Sequence, residues 1–126
     1  MFFQQIHHIA VNASNYEKTK HFYVDVLGFA IIRENIRSEK NDIKLDLKLG
    51  NQELEIFISD VFPKRPSYPE ALGLRHLAFR VDSVDEVKAY LEQHQIMCEP
   101  IRTDEFTGEK MTFFFDPDGL PLEIHE

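Results

Sequence analysis

The stretch Leu74-Arg75-His76-Leu77-Ala78-Phe79-Arg80-Val81 repeats, in residue type and order, a stretch near the start of the chain, Ile6-His7-His8-Ile9-Ala10-Val11-Asn12. Each copy is followed by a Glu inside another strand-like run, Leu54-Glu55-Ile56-Phe57-Ile58 in the first half and Leu122-Glu123-Ile124 in the second. Glu55 follows His8 by 47 residues, and Glu123 follows His76 by the same 47. A repeat that returns His and Glu at one interval implies that two His and two Glu converge on a single point, and such a point binds a metal ion.

Outward from the first copy, Gln5 to Asn12 reads as a strand with Ile9 and Val11 on one side and His8, Ala10 and Asn12 on the other. Ser14-Asn15-Tyr16-Glu17 matches a capping box, and Tyr16, Tyr23, Val26 and Leu27 recur at helical spacing until Gly28 supplies a stop. Phe29 to Asn35 reads as a second strand. Asp42 to Leu49 reads as a third, with Ile43, Leu45, Leu47 and Leu49 alternating against Asp42, Lys44, Asp46 and Lys48. Gly50-Asn51 fits a two-residue hairpin leading into a fourth strand, Gln52 to Ser59, in which Glu55 and Phe57 share a face.

The segment 60–73 carries Pro63, Pro66 and Pro69 without periodicity and reads as a connector between a first module, 1–59, and a second, 74–126. The pattern then restarts. Arg75 to Asp82 is a strand, Ser83-Val84-Asp85-Glu86 a second capping box, and Val84, Val87 and Leu91 the inner stripe of a second helix. Met97 to Thr103 and Lys110 to Asp116 read as strands, and Asp116-Pro117-Asp118-Gly119 as a turn before a last strand, Leu120 to His125. Each half is therefore βαβββ. His8, Glu55, His76 and Glu123 all fall in the polar phase of their strands, opposite the neighbours Ile9, Ile56, Leu77 and Ile124.

The formal net charge of −8 disfavours nucleic acid, whose phosphates need a clustered basic face, and no nucleic-acid partner is expected. With 126 residues, 43% of them hydrophobic and eleven Phe, one core-bearing domain is expected. Cys98 is the single cysteine, so no intrachain disulfide is expected, and no stretch reads as a signal peptide or a membrane span. Those features make the cytoplasm the expected location. His7 falls on the opposite side of its strand from His8, while His21, His94 and His125 have no partner at the repeat interval; all four read as surface or capping residues. Of Phe113-Phe114-Phe115, Phe113 or Phe114 is expected to face the cleft, as Phe57 does by phase.

The combination of His8-Ile9-Ala10-Val11, Phe22-Tyr23 before Leu27-Gly28-Phe29, Leu54-Glu55-Ile56, Arg75-His76-Leu77-Ala78-Phe79 and Phe115-Asp116-Pro117-Asp118-Gly119 through Glu123-Ile124 resembles the glyoxalase and bleomycin-resistance group, the vicinal-oxygen-chelate superfamily. The resemblance covers essentially the whole chain. It implies an α+β fold in which two βαβββ modules form a cupped mixed sheet around a metal site with helices on the outer face. It also implies that His8, Glu55, His76 and Glu123 are the ligands of one divalent ion: nickel, zinc, cobalt or manganese.

Ring-cleaving dioxygenases and fosfomycin-modifying members of that superfamily use three protein ligands, and bleomycin-sequestering members lack the ligands altogether. Two His with two Glu resembles glyoxalase I, lactoylglutathione lyase, and the related epimerases, which transfer protons. The resemblance thus implies a metal-dependent lyase or isomerase acting on a small molecule that chelates the ion through two vicinal oxygens, with Glu123 as base and Glu55 its symmetry-related partner. An epimerase, another enzyme of the superfamily or a non-catalytic antibiotic binder are the alternatives. Lactoylglutathione lyases often carry an Arg four residues after the first ligand and an Asn four after the second, where this chain has Asn12 and Ser59. That departure puts glutathione in doubt. Asn12, Phe57 and Arg80 are the substrate-contact candidates, Arg80 as a cation four residues after His76 or as a solvated side chain. Relatives that pair their modules within or between chains point to a homodimer.

Overall fold

Both halves of the chain follow one element order in the computed structural model, which describes residues Met1–Glu126. The first compact unit, Met1–Pro63, contains β1 (Ile9–Ala13), α1 (Tyr16–Lys20), which widens into a π-helical segment over His21–Val26, then β2 (Ala30–Arg37), β3 (Asp42–Leu49) and β4 (Gln52–Ile58). The second, Lys64–Glu126, contains β5 (Leu77–Arg80), α2 (Val84–Gln93), β6 (Arg102–Thr103), β7 (Lys110–Phe115) and β8 (Pro121–His125). Each unit is α+β and folds its strands into a four-stranded mixed sheet, in the orders β1-β4-β3-β2 and β5-β8-β7-β6. In both, the first strand runs parallel to the last and the hairpin strands run antiparallel.

In the first unit, alternation along β3 and β4 puts Leu45, Leu47, Leu54, Ile56 and Ile58 into the core beside Phe22, Tyr23, Val26 and Phe29 from the helix and its exit. Tyr23 makes edge-to-face contacts with Phe22 and Phe29, with ring centroids 5.0 and 5.9 Å apart. Gly28, at φ +84°, takes the left-handed conformation that turns the chain from helix to β2. In the second unit Phe114, Leu120, Leu122 and Ile124 are buried along with Cys98 and with Val84 and Leu91 of α2.

Several boundaries move. The first cap is Asn15 rather than Ser14: Asn15 Oδ1 accepts from the Lys18 amide at 2.9 Å. The second lies where the pattern puts it, with Ser83 Oγ accepting from the Glu86 amide at 3.2 Å. Strand β1 begins at Ile9 and β5 at Leu77, so His8 and His76 each stand immediately before their strand. The strand expected over Met97 to Thr103 shrinks to Arg102–Thr103. Pro100 has no amide to donate, and Thr112 Oγ1 instead donates to the carbonyls of Glu99 and Pro100, at 2.7 and 3.2 Å.

Candidate functional site

Parallel pairing sets up each half of the site. Ala10 lies opposite Glu55 in the β1–β4 ladder, and Ala78 lies opposite Glu123 in the β5–β8 ladder. Each His is two residues upstream of that Ala, just before its strand, and its ring reaches the Glu of the neighbouring strand. His8 Nε2 is 3.2 Å from Glu55 Oε2, and His76 Nε2 is 3.0 Å from Glu123 Oε2. The four residues expected as ligands therefore form two His–Glu pairs of matching geometry, one within each unit. Neither unit by itself gathers three His, Cys, Asp or Glu side chains able to hold an ion.

The donor set fits a divalent metal. Two ligand atoms bound about 2.1 Å from an ion at right angles sit about 3.0 Å apart, close to both spacings. Imidazole nitrogens with carboxylate oxygens are also the mixture that first-row divalent ions accept. Each ring has its other nitrogen or its face supported. His8 Nδ1 is 3.0 Å from Nδ1 of His7, whose ring stands edge-on to it at 5.2 Å, so His7, expected to point away, touches the site residue instead. The strand phase that separated them does not apply, because both precede β1. His76 stands edge-on to Phe113, with centroids 5.1 Å apart.

The two pairs differ in what lies beyond the Glu. Lys44 Nζ is 3.1 Å from Glu55 Oε1 and 3.4 Å from Asp46 Oδ1, and the Glu55 carboxylate holds the Lys44 ammonium above its ordinary range. Asp46, 2% exposed, lies directly opposite Glu55 in the β3–β4 ladder. Arg33 Nε comes within 2.8 Å of Asp46 Oδ2. Neither Asp46 oxygen is met at hydrogen-bonding angles, so the contact is charge on charge. A β-bulge makes it possible: the β2–β3 register steps from Ile31 opposite Leu47 to Arg33 opposite Asp46, and Ile32 is the extra residue. In the second unit Phe113 lies opposite Glu123, in the place Asp46 takes opposite Glu55. Glu123 is 6% exposed and pairs with His76, with no Lys or Arg against it.

Sequence reasoning missed the Arg33–Asp46–Lys44 group. Clean alternation along β3 assigned Asp46 to a polar face without showing that the face is buried there, and the adjacent Ile31-Ile32 was the only sign of the bulge. The substrate-contact candidates separate. Phe57 is half-buried, with the Arg37 guanidinium 4.9 Å and the Lys44 ammonium 5.8 Å from its ring centroid. Asn12, opposite Phe57 in register, and Arg80, opposite His125, are exposed. Phe113 takes the place by His76 and Phe114 is buried at 1% exposure, which resolves the alternative in the Phe run. Cys98 is buried, and burial pushes its thiol above the ordinary range, so it makes a poor nucleophile. His21 pairs with Asp25 at 3.0 Å, His94 Nδ1 donates to the Tyr90 carbonyl at 2.9 Å, and His125 Nε2 lies 3.2 Å from Asp104. None of these three touches the His–Glu pairs.

A cavity of about 480 Å3 in the second unit opens onto His76. Its walls include Phe113 and Phe115 of β7 and Arg65 and Tyr68 from the proline-rich segment. No helix is long and apolar enough to cross a membrane.

Residues 5–124 match the model of the Glyoxalase/Bleomycin resistance protein/Dioxygenase superfamily. A crystal structure of a glyoxalase family protein from Enterococcus faecalis is 72% identical over 100% of both chains, with a TM-score of 0.95. The Bacillus subtilis protein YwkD, itself uncharacterized, is 52% identical, covering 100% of this chain and 99% of its own. The metallothiol transferase FosB of Staphylococcus saprophyticus is 28% identical, covering 97% of this chain and 76% of its own.

Proposed function

Because the chain belongs to the Glyoxalase/Bleomycin resistance protein/Dioxygenase superfamily, many of whose members are enzymes, we propose that it is a metal-dependent lyase or isomerase of the glyoxalase I type, converting a small molecule that offers two neighbouring oxygens. His8, Glu55, His76 and Glu123 would hold one divalent ion. The observation that carries this reading is the duplicate His–Glu pair, at 3.2 and 3.0 Å in the same ladder position of two like modules.

An ion there would polarise a carbonyl as a Lewis acid and favour loss of the adjacent proton. The chain's own residues supply the rest. Glu123, buried and free of any ammonium or guanidinium, takes the proton from one carbon and returns it to the next. Glu55, held by Lys44 at 3.1 Å, serves to bind. Phe113 beside His76 narrows the water around the reacting atoms. The likeness to FosB favours a second reading, transfer of a thiol to a metal-held substrate, in which Glu123 need not act as a base.

The test is Glu123→Gln. An amide oxygen still approaches an ion but accepts no proton near neutral pH, so turnover should fall by about a hundredfold or more while metal stays bound. Near-normal turnover at full metal content would remove Glu123 from the chemistry and favour the thiol-transfer reading. We carry a homodimer as part of the proposal: the mass in solution should be twice the chain's 14.8 kDa.

A further inference from the structure

The cavity beside His76 is lined by three arginines, Arg65, Arg75 and Arg102, and two glutamates, Glu70 and Glu99, on a chain whose net charge is −8. Two of the arginines are matched: Arg75 Nη2 is 3.2 Å from Glu70 Oε1, and Arg102 Nη2 is 3.3 Å from Glu99 Oε1. Arg102 also lies over the Phe113 ring, 5.1 Å from its centroid. Arg65 has no carboxylate. Its Nη2 donates to the backbone carbonyls of Leu74 and Arg75, at 2.7 and 3.3 Å, and its Nε is buried with no hydrogen-bond partner.

A guanidinium never loses its charge in a protein, and its donors form a rigid fork matched to an oxyanion. Burying one of those donors without a partner is costly, and an anion drawn into the cavity that Arg65 lines would offset that cost by pairing with the guanidinium. Arg65 is anchored to the two residues that immediately precede His76, so the fork is fixed relative to that ring. We propose that Arg65 is the anion-recognition residue of the site, and that the substrate is a small organic oxyanion, a carboxylate or a phosphate, whose charged group docks on Arg65 while its reacting end lies at His76. This names the substrate class of the proposed enzyme, and it rests on reading His76 as part of the reacting centre.

The experiment follows the Arg65 side-chain Nε–H and the His76 ring by NMR while the purified protein is titrated separately with inorganic phosphate and with acetate. Both sets of resonances should move saturably with at least one anion. A stronger response to phosphate assigns the phosphate class, and a stronger response to acetate assigns the carboxylate class. Arg65→Gln should weaken that binding about tenfold or more, and Arg65→Lys, which keeps the charge without the fork, should fall between. The wild-type Nε–H signal needs no variant, so it stands even if Arg65→Gln loosens the segment before His76. Absence of any saturable Nε–H shift with either anion overturns the proposal, as does unchanged affinity in Arg65→Gln. Neither readout needs turnover. A silent Glu123→Gln experiment with intact anion binding therefore sinks only the proton-transfer reading, and normal turnover without anion binding sinks only this one.

Discussion

Lys44 Nζ stands 3.1 Å from Glu55 Oε1, the carboxylate oxygen that His8 does not meet. The same ammonium and Arg33 are the two cations that face buried Asp46. Lys44→Met removes one charge from a group in which two carboxylates share two cations. Leaving a buried acceptor undercompensated costs about 1–3 kcal/mol, so chemical denaturation should show a loss of that order. An unchanged denaturation midpoint would show that Lys44 adds nothing to the first unit.

Phe113 and Phe114 are adjacent, and their substitution should separate stability from activity. Phe114 is 1% exposed, and Phe114→Ala should cost about 3–5 kcal/mol through the cavity it leaves. Phe113 lies against His76 and Arg102 at the cavity wall, so Phe113→Ala should cost less in stability and more in turnover. Thermal unfolding with kinetics on both variants checks this, and equal stability losses would contradict the assignment of faces.

Reading the sequence recovered what periodicity and repetition encode. The 47-residue interval marked the four residues of the two His–Glu pairs, and the alternation in β3 and β4 found the core face, because burial on one side of a sheet leaves a period of two. What stayed hidden depends on register. Arg33 reaches Asp46 only because a bulge at Ile32 shifts one strand by a residue, and Arg65 reaches the backbone before His76 through an irregular segment with no period at all. His7 is exposed as expected but meets the His8 ring, because strand phase does not extend to residues that precede β1.

Acid should weaken the first unit through two contacts. The Tyr16 hydroxyl, donating at 2.5 Å, and then Lys20 hold the Glu34 carboxyl below its ordinary range, and the Arg37 guanidinium, in a two-point contact at 2.7 and 2.6 Å, does the same for Asp42. Both folded values lie below the unfolded ones, so the unfolded chain binds protons more readily. The stability they contribute is complete above the unfolded range, roughly pH 4, and is lost as pH falls through the folded values. Denaturant midpoints between pH 7 and pH 3 should fall on the acid side, and more shallowly in a Tyr16→Phe, Arg37→Gln double variant. An equal slope in that variant would assign the acid loss to other groups.

The most direct measurement is metal stoichiometry by elemental analysis of protein purified without chelator, for the wild type, His8→Ala, His76→Ala and the double variant. If the two His–Glu pairs serve one ion, the wild type holds about one divalent ion per chain, and either single substitution empties most of it. Two ions per chain, with one retained in each single variant, would show that the pairs act separately. Full occupancy in the double variant would place any metal elsewhere and remove the basis of the proposed chemistry.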